Sequence, residues 1–287
     1  MVAAQQSLAL PRLSASHVIE RAGVRLSVEE AGEGTPIVLL HGLTATRRYV
    51  VMGSRALERG GHRVIAYDAR GHGRSWPAPE GGVYSYPELA LDLEAVLDAL
   101  AIPRAVLAGA SMGAHTALRL ALRAPDRAAA LVLVTPAYDP ATNEEPARLA
   151  RWDALSYGLR SGGTEGFLQA YEERPVPSAW RATVSKGIRQ RLSLHEHPGA
   201  VADALRGVPR SQPFGELREL AAISVPVTIV ASADAADPEH PLAVGEAYAA
   251  AIPGARLLTD EPGRSPLAWQ GNQLSKVIAE VAASAEL

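Results

Sequence analysis

A serine flanked by two glycines is the first feature of the sequence with a chemistry of its own. The segment Gly109-Ala110-Ser111-Met112-Gly113 follows the aliphatic run Ala105–Ala108 and precedes a helix-like segment that begins near Ala114. In a strand–turn–helix context such a serine stands on a sharp turn, with its hydroxyl exposed above a sheet. The glycines let strand and helix approach, and the Met112 amide faces a developing oxyanion from the helix N-terminus. This pattern predicts a nucleophile; the alternative is an ordinary turn with a surface serine.

Histidine is the scarce partner for such a serine, because the chain of 287 residues has eight histidines and no cysteine. The lack of cysteine excludes disulfides, thiolate nucleophiles, cysteine-ligated zinc and iron–sulfur clusters. With 28 basic and 31 acidic residues, a net charge of −3, the sequence has no electrostatic footprint for nucleic acid. Its apolar runs are too short for a membrane span, and its first residues do not form a signal-peptide pattern. We therefore expect a cytoplasmic protein with a small-molecule substrate and no nucleic-acid or membrane partner.

The elements that must position these residues alternate along the chain. Short aliphatic runs and longer amphipathic stretches predict an α/β protein with a mostly parallel sheet. The predicted strands are Val24–Val28, Ile37–Leu40, Arg63–Tyr67, Ala105–Ala108, Ala130–Val134, Val227–Ala231 and Arg256–Thr259. The predicted helices are Pro87–Leu100, Ala114–Leu122, Ala147–Tyr157, Ala179–Leu192, Ala243–Ala251 and Leu274–Ala283. No cofactor-binding or zinc motif is present in the sequence, and its oligomeric state is left open.

The alternation stops after residue 136, where strand-like runs disappear, charge rises and helix-like segments follow one another. We expect residues 137–213 to form a helical cap inserted into an α/β core made of residues 1–136 and 214–287. The alternative is a disordered insertion. Disordered segments are poor in aromatic residues, whereas this block contains Trp152, Phe167, Tyr171 and Trp180.

Three motifs in order give the sequence a family resemblance over nearly its whole length. They are Leu39-Leu40-His41-Gly42-Leu43, Tyr67-Asp68-Ala69-Arg70-Gly71-His72-Gly73-Arg74-Ser75 and the segment around Ser111. The sequence resembles the α/β-hydrolase family, of the esterase, lipase-like and proline-iminopeptidase-like type. The resemblance implies the α/β-hydrolase fold, a mostly parallel central sheet with helices on both faces and an inserted helical cap. It also implies that the Leu43 amide is the second donor of an oxyanion hole beside Met112.

The resemblance further implies where the acid and the base of a catalytic triad stand. The acid follows the strand Val227–Ala231, which places it at Asp234, with Asp237 as the fallback; the other role for Asp237 is capping a helix that starts near Pro241. The base follows the last strand as a histidine, but Arg264 stands there and no histidine occurs after His240. A guanidinium has no lone pair to accept a serine proton. Arg264 is instead a candidate for holding an anionic substrate.

Another histidine must then act as the base if the chemistry is retained. His240 lies six residues after Asp234, in a loop that borders the active-site mouth of this family, and is our candidate for a relocated base. The alternative is an ordinary residue at a helix N-terminus. His195 and His197 lie in the predicted cap and are candidates for substrate binding or for the base. Their spacing also allows a metal site, but a solvated turn fits it better, and we predict no metal.

Three functions are compatible with these residues. The first is a serine hydrolase of a small or medium carboxylic ester, thioester or lactone that acts through an acyl-enzyme with a non-standard base. The second is a lyase, cyclase or decarboxylase of the same fold, in which Arg264 holds an anionic substrate beside Ser111. The third is a ligand-binding protein that has lost its base. The retained nucleophile and acid positions favour the hydrolase, and no cofactor is expected.

Overall fold

Strands and helices alternate along the chain and build a central sheet. The computed structural model of the protein describes residues 14–80, 82–234, 236–260 and 271–285. In this part of the chain the strands are β1 (Ala15–Arg21), β2 (Val24–Ala31), β3 (Thr35–Leu40), β4 (His62–Tyr67), β5 (Ala105–Ala110), β6 (Ala128–Val134), β7 (Val227–Ala231) and β8 (Arg256–Thr259). Strands β5, β6 and β7 are aliphatic and buried almost throughout, as expected for strands covered on both faces.

The order of the strands places β5 near the middle of the sheet. The order is β1-β2-β4-β3-β5-β6-β7-β8, in which β1 pairs with β2 and β2 pairs with β4 in antiparallel fashion. All remaining pairs are parallel. The carboxyl ends of β3, β5, β7 and β8 therefore meet at one edge, where ligands bind in open α/β sheets.

Helices cover both faces of this sheet. They are α1 (Ala56–Arg59), α2 (Tyr86–Ala99), α3 (Met112–Arg123), α4 (Pro146–Tyr171), α5 (Ser178–Leu192), α6 (Pro198–Gly207), α7 (Leu242–Ala251) and α8 (Asn272–Ser284). One apolar core joins the sheet to α2, α3 and α7 through residues such as Leu93, Leu118 and Tyr248. A second core, on the other face, contains Leu57 of α1 and Ile278 of α8. Within the described residues, no helix combines the length and apolar character that crossing a bilayer requires.

Helices α4, α5 and α6 lie between β6 and β7, inside the segment that the sequence predicts as a cap. Helix α4 is broken at Gly163, whose φ is +60°. Its two arms fold back on each other so closely that a Cβ on Gly158 would lie 2.3 Å from the Gly166 carbonyl oxygen. A third apolar cluster packs these helices on the core and includes Leu43 and Met112. The exact limits of cap and core stay a prediction.

The seven predicted strands are all present, and β7 and β8 have the predicted limits. The prediction missed β1, because this edge strand buries only Ile19 and shows no alternating apolar pattern. It also missed α6 and the second arm of α4. The expected mostly parallel sheet with helices on both faces is confirmed.

Candidate active site

Ser111 stands on a strained turn between β5 and α3. Its φ of +49° and ψ of −113° are conformations that residues with a Cβ rarely adopt. A Cβ on Gly109 would lie 2.3 Å from the Gly113 carbonyl, and a Cβ on Gly113 would lie 2.1 Å from the Leu40 carbonyl oxygen. Glycine is therefore required at both positions for the strand and helix to meet. The turn has the geometry that the glycine spacing predicts.

His240 reaches this serine from the loop after β7. Its Nε2 lies 2.8 Å from Ser111 Oγ, and its Nδ1 lies 2.7 and 2.8 Å from the two carboxylate oxygens of Asp237. With Nδ1–H donating to Asp237, the lone pair of Nε2 accepts the hydrogen bond of the serine hydroxyl. Serine, histidine and aspartate thus form a continuous hydrogen-bonded chain.

The electrostatics of the pair favour a charged histidine beside a charged carboxylate. Burial by itself lowers the pKa of His240, but the charge and the hydrogen bond of Asp237 outweigh it and raise that pKa above 6.5. Burial also raises the pKa of Asp237, and His240 outweighs this effect and lowers it. Asp237 therefore favours the protonated form of His240.

Two turns of the chain decide which aspartate meets His240. Asp234 Oδ1 accepts the amide hydrogen of Ala236 at 2.8 Å, and the Asp234 carbonyl accepts that of Asp237 at 3.1 Å. The Asp237 carbonyl then accepts the amide hydrogen of His240 at 3.3 Å. The carboxylate of Asp234, the expected acid, thus closes a turn, and the fallback Asp237 contacts the histidine instead. Burial raises the pKa of Asp234, and no basic side chain among the described residues pairs with it.

The end of β8 holds the start of this loop. Asp260 Oδ1 accepts the amide hydrogen of Ala233 at 3.2 Å, and its Oδ2 accepts the hydroxyl of Ser232 at 3.1 Å. The carboxylate at the end of the last strand therefore fixes the first residues after β7. Arg264 lies in 261–270, outside the described residues, so its expected role in substrate binding stays a prediction.

The amides of Leu43 and Met112 are available as donors beside the serine. Met112 is the first residue of α3, where a backbone N–H has no acceptor within the helix. Among the described residues the structure shows no acceptor for the Leu43 N–H, while the Leu43 carbonyl accepts from His72 Nε2 at 2.6 Å. A Cβ on Gly42 would lie 3.5 Å from Ser111 Cβ, so the Leu43 loop packs against the serine turn.

His195 connects the cap to the core. Its Nδ1 accepts the Gly73 amide hydrogen at 2.8 Å, and its Nε2 donates to the Thr44 carbonyl at 3.2 Å. Burial lowers its pKa to about 3, which keeps the ring neutral. Both ring nitrogens of His195 thus hold two loops, and its expected role in substrate binding stays a prediction. His197 is the residue before α6 and does not line the cavity of Ser111, so the structure does not place it where its predicted role would need it.

The cavity above Ser111 has a volume of about 610 Å³, within the range of small-molecule sites. Ser111, Asp237 and His240 lie on its core side, and aromatic residues of the cap lie opposite. Three cap arginines also line it, Arg148, Arg174 and Arg191. The sequence predicts no role for these three arginines, because arginines on helices of mixed polarity are typical of solvated faces.

Comparison with known proteins identifies the family. Residues 35–269 match the family model described as alpha/beta hydrolase fold. The chain belongs to the α/β-hydrolase fold family. This membership and the strand order agree with the fold that the motifs imply.

Individual relatives cover most of the chain. A protein of Variovorax paradoxus to which carbamate hydrolysis has been ascribed, RutD, is 32% identical over 209 residues, which are 72% of this chain and 76% of that protein. A thermophilic esterase from Thermogutta terrifontis, solved with malate bound, has a TM-score of 0.76 and 25% identity, covering 94% and 98% of the two chains. Est816, described as an N-acyl homoserine lactone degrading enzyme, has a TM-score of 0.70 and 26% identity, covering 93% and 98%. These similarities support an enzyme of the α/β-hydrolase kind.

Proposed function

We propose that this protein is a serine hydrolase of a small or medium carboxylic ester, thioester or lactone. The observation that carries the proposal is the hydrogen-bonded chain from Ser111 through His240 to Asp237. A serine with a base in hydrogen-bond contact is the arrangement of nucleophilic acyl transfer. Neither a ligand-binding protein nor a lyase or decarboxylase that relies on Arg264 requires such a pair.

The reaction proceeds in two half-reactions on the same residues. Ser111 Oγ attacks the acyl carbon while its proton passes to His240 Nε2. The N–H groups of Leu43 and Met112 stabilise the negative charge on the acyl oxygen by hydrogen bonds. The histidine then gives the proton to the leaving alkoxide or thiolate as the carbon–oxygen or carbon–sulfur bond breaks. In the second half-reaction His240 takes a proton from water, the hydroxide attacks the acyl-enzyme, and the acid leaves as Ser111 regains its proton. Asp237 is not protonated at any step and holds the imidazolium.

Two relatives carry names that agree with this chemistry. The Thermogutta terrifontis protein is an esterase and Est816 degrades a lactone. An ester and a lactone both present an acyl carbon with an oxygen leaving group. The base differs from the position that the family resemblance implies, since the histidine here follows β7.

The test combines active-site labelling with turnover of 4-nitrophenyl butyrate. We expect a fluorophosphonate to label the wild-type protein and not Ser111→Ala, and His240→Ala to label far more slowly. Loss of either residue lowers kcat by about 10⁶-fold, as for a dissected serine–histidine pair. His17→Ala is the matched control, because His17 contacts Glu30 on the sheet edge, away from the cavity. Wild-type labelling and turnover in His240→Ala would exclude His240 as the base.

A further inference from the structure

The three arginines that line the cavity of Ser111 all come from the cap. Arg148 lies in the first turn of α4, Arg174 follows the end of α4, and Arg191 lies at the end of α5. Arginine side chains inside a protein normally have carboxylate partners, because an unpaired buried charge is costly. The partners of these three side chains therefore show what the cavity is built to hold.

Buried arginines of the core provide the comparison. Arg47 forms ion pairs with Asp68 and Glu29. Arg70 forms two hydrogen bonds with Asp92, of 2.7 and 2.8 Å, and Asp92 is fully buried. Both guanidinium groups are neutralised by carboxylates inside the protein, although Arg47 Nε is buried without a hydrogen-bond partner.

Arg148 lacks such a partner. Its Nη1 donates to the carbonyl oxygens of Asn143 and Pro209 at 3.1 and 3.2 Å, and no carboxylate of the described residues pairs with it. Burial lowers the pKa of this guanidinium, and the charge of Glu239, which acts in the opposite direction, does not outweigh it. Two neutral carbonyls orient the side chain without neutralising it.

Arg191 has even fewer hydrogen-bond partners than Arg148. Across the described ranges its guanidinium makes no hydrogen bond or ion pair, and its Nε is buried without a partner. Its charge lowers the pKa values of Asp237 and His240, so it lies within electrostatic range of the catalytic pair. A positive charge is thus held near the reacting serine without a direct ion pair or hydrogen bond in the part of the chain that the structure describes.

Arg174 connects this charge to the catalytic loop. It is 5% exposed, and its Nη1 pairs with Glu239, the neighbour of His240 in sequence. Its Nη2 is buried without a hydrogen-bond partner. The guanidinium also lies 5.8 Å from the ring centres of Trp152 and Tyr171, which hold it in place. Arg174 therefore has an unused donor in a fixed position at the cavity.

We propose that Arg148, Arg174 and Arg191 form a subsite for a carboxylate, and that the substrate is an ester or lactone that carries one. The planar guanidinium forks match a carboxylate, which would supply the missing acceptors. The described lining contains four basic and three acidic side chains, a formal charge of +1 that suits a monoanion better than a phosphate dianion. This inference rests on the proposed function, because the carboxylate is held by the cap while the acyl carbon meets Ser111.

The test compares two substrates that differ only in charge, mono-4-nitrophenyl adipate and its methyl ester. The wild-type enzyme is expected to favour the carboxylate by about 10-fold or more in kcat/KM, the usual value of a charged hydrogen bond. Arg148→Gln and Arg191→Gln should each reduce this ratio by about 10-fold, mainly through KM. Arg151→Gln is the matched control, since Arg151 is exposed on the same helix as Arg148 and does not line the cavity. It should keep the wild-type ratio.

Two results would overturn the subsite. One is a wild-type enzyme that turns over both esters equally, and the other is an equal loss of the ratio in Arg151→Gln. A failure of the proposed function is distinguished by calorimetry with monomethyl adipate on Ser111→Ala. Binding that Arg148→Gln weakens by about 10-fold, without any turnover in the wild type, keeps the subsite and removes the proposed function. Tighter binding of inorganic phosphate than of monomethyl adipate would overturn the assignment to a carboxylate.

Discussion

The serine turn after β5 and the loop after β7 both contribute a side chain to the same hydrogen-bonded chain, but they are fixed by different means. Close packing fixes the serine turn, where a single methyl group on Gly109 or Gly113 would overlap backbone atoms. Hydrogen bonds of successive turns, anchored by Asp260, fix the loop after β7. Sterics leave the first region one conformation, whereas the second depends on which polar group closes each turn.

The difference shows which part of such a site can change position without loss of the fold. A nucleophile held by backbone packing requires glycine at the flanking positions, here Gly109 and Gly113, and must stay at the junction of β5 and α3. A base held by turns requires only a loop that ends near the serine. The histidine here stands after β7, whereas the family resemblance implies one after β8.

The largest expected effect separates the two aspartates of the loop. Asp237→Asn leaves the loop in place but removes the charge beside His240, so kcat should fall by about 10⁴-fold, or about 5 kcal/mol. Asp234→Asn keeps an oxygen for the Ala236 amide and should lower kcat by less than about 10-fold. Steady-state turnover of 4-nitrophenyl butyrate measures both. The opposite ranking would show that Asp234 is the acid after all.

A substitution in the serine turn should affect stability instead. Gly113→Ala places a Cβ 2.1 Å from the Leu40 carbonyl oxygen, so the free energy of unfolding should fall by about 3 kcal/mol. Gly162→Ala is the control, because its Cβ meets nothing within 4 Å and an alanine in a helix should add about 0.5 to 1 kcal/mol. Urea denaturation distinguishes the two. Equal stability would contradict the view that packing fixes this region.

His195 tests the contact between the cap and the core. His195→Ala leaves the buried Gly73 amide without its acceptor and should lower the free energy of unfolding by about 2 kcal/mol. His17→Ala, which removes a partly exposed contact with Glu30, should cost less than about 1 kcal/mol. Thermal unfolding of both variants provides the comparison. If His195→Ala instead raised KM with no change in stability, the side chain would bind substrate as the sequence suggests.

The smallest effect concerns pH. Since His240 acts as a base only when neutral and its pKa is raised above 6.5, kcat/KM should rise with pH and be below half of its plateau at pH 6.5. Asp237→Asn removes the charge that raises this pKa, so the residual activity should reach its half-maximum at a lower pH. Profiles of kcat/KM from pH 5 to 9 measure both. An unshifted profile would separate the carboxylate from the titration of the histidine.

The same pKa has a consequence for stability with a fixed sign. A pKa that is higher in the folded than in the unfolded state contributes stability below the unfolded value, and this contribution is lost as the pH rises through the folded value. The melting temperature of the wild type relative to His240→Gln should therefore be highest below pH 6.5 and decrease above it. An advantage that instead grows with pH would contradict the raised pKa.

The sequence predicted the parts of the molecule that local chemistry determines. The glycine spacing around Ser111 is a steric requirement that the sequence displays directly, and the parallel strands appear as aliphatic runs. The edge strand β1 was not predicted, because it buries a single residue. His240 was a candidate because it lies six residues after Asp234, in a loop that borders the active-site mouth of this family, and because no histidine follows it.

The rest depended on contacts between residues distant in sequence. Asp234 and Asp237 have the same chemistry, and the choice between them is made by the Ala236 amide and by Asp260 at the end of β8. The three-residue step from Asp237 to His240 is the one sequence signal that could have favoured Asp237 as the partner of the histidine. The cap arginines carry no signal at all, because their lack of partners is visible only where the helices pack.

Asp237 and His240 belong to one four-residue peptide, and this changes how the reaction centre responds to deformation. When acid and base stand on two different strand ends, either end can drift and break their contact. In this protein a displacement of the loop moves both residues, so the 2.7 Å contact between Asp237 and His240 is kept and only the distance from His240 to Ser111 changes. Acid and base can therefore be exchanged together, as one segment after β7, in a directed-evolution experiment.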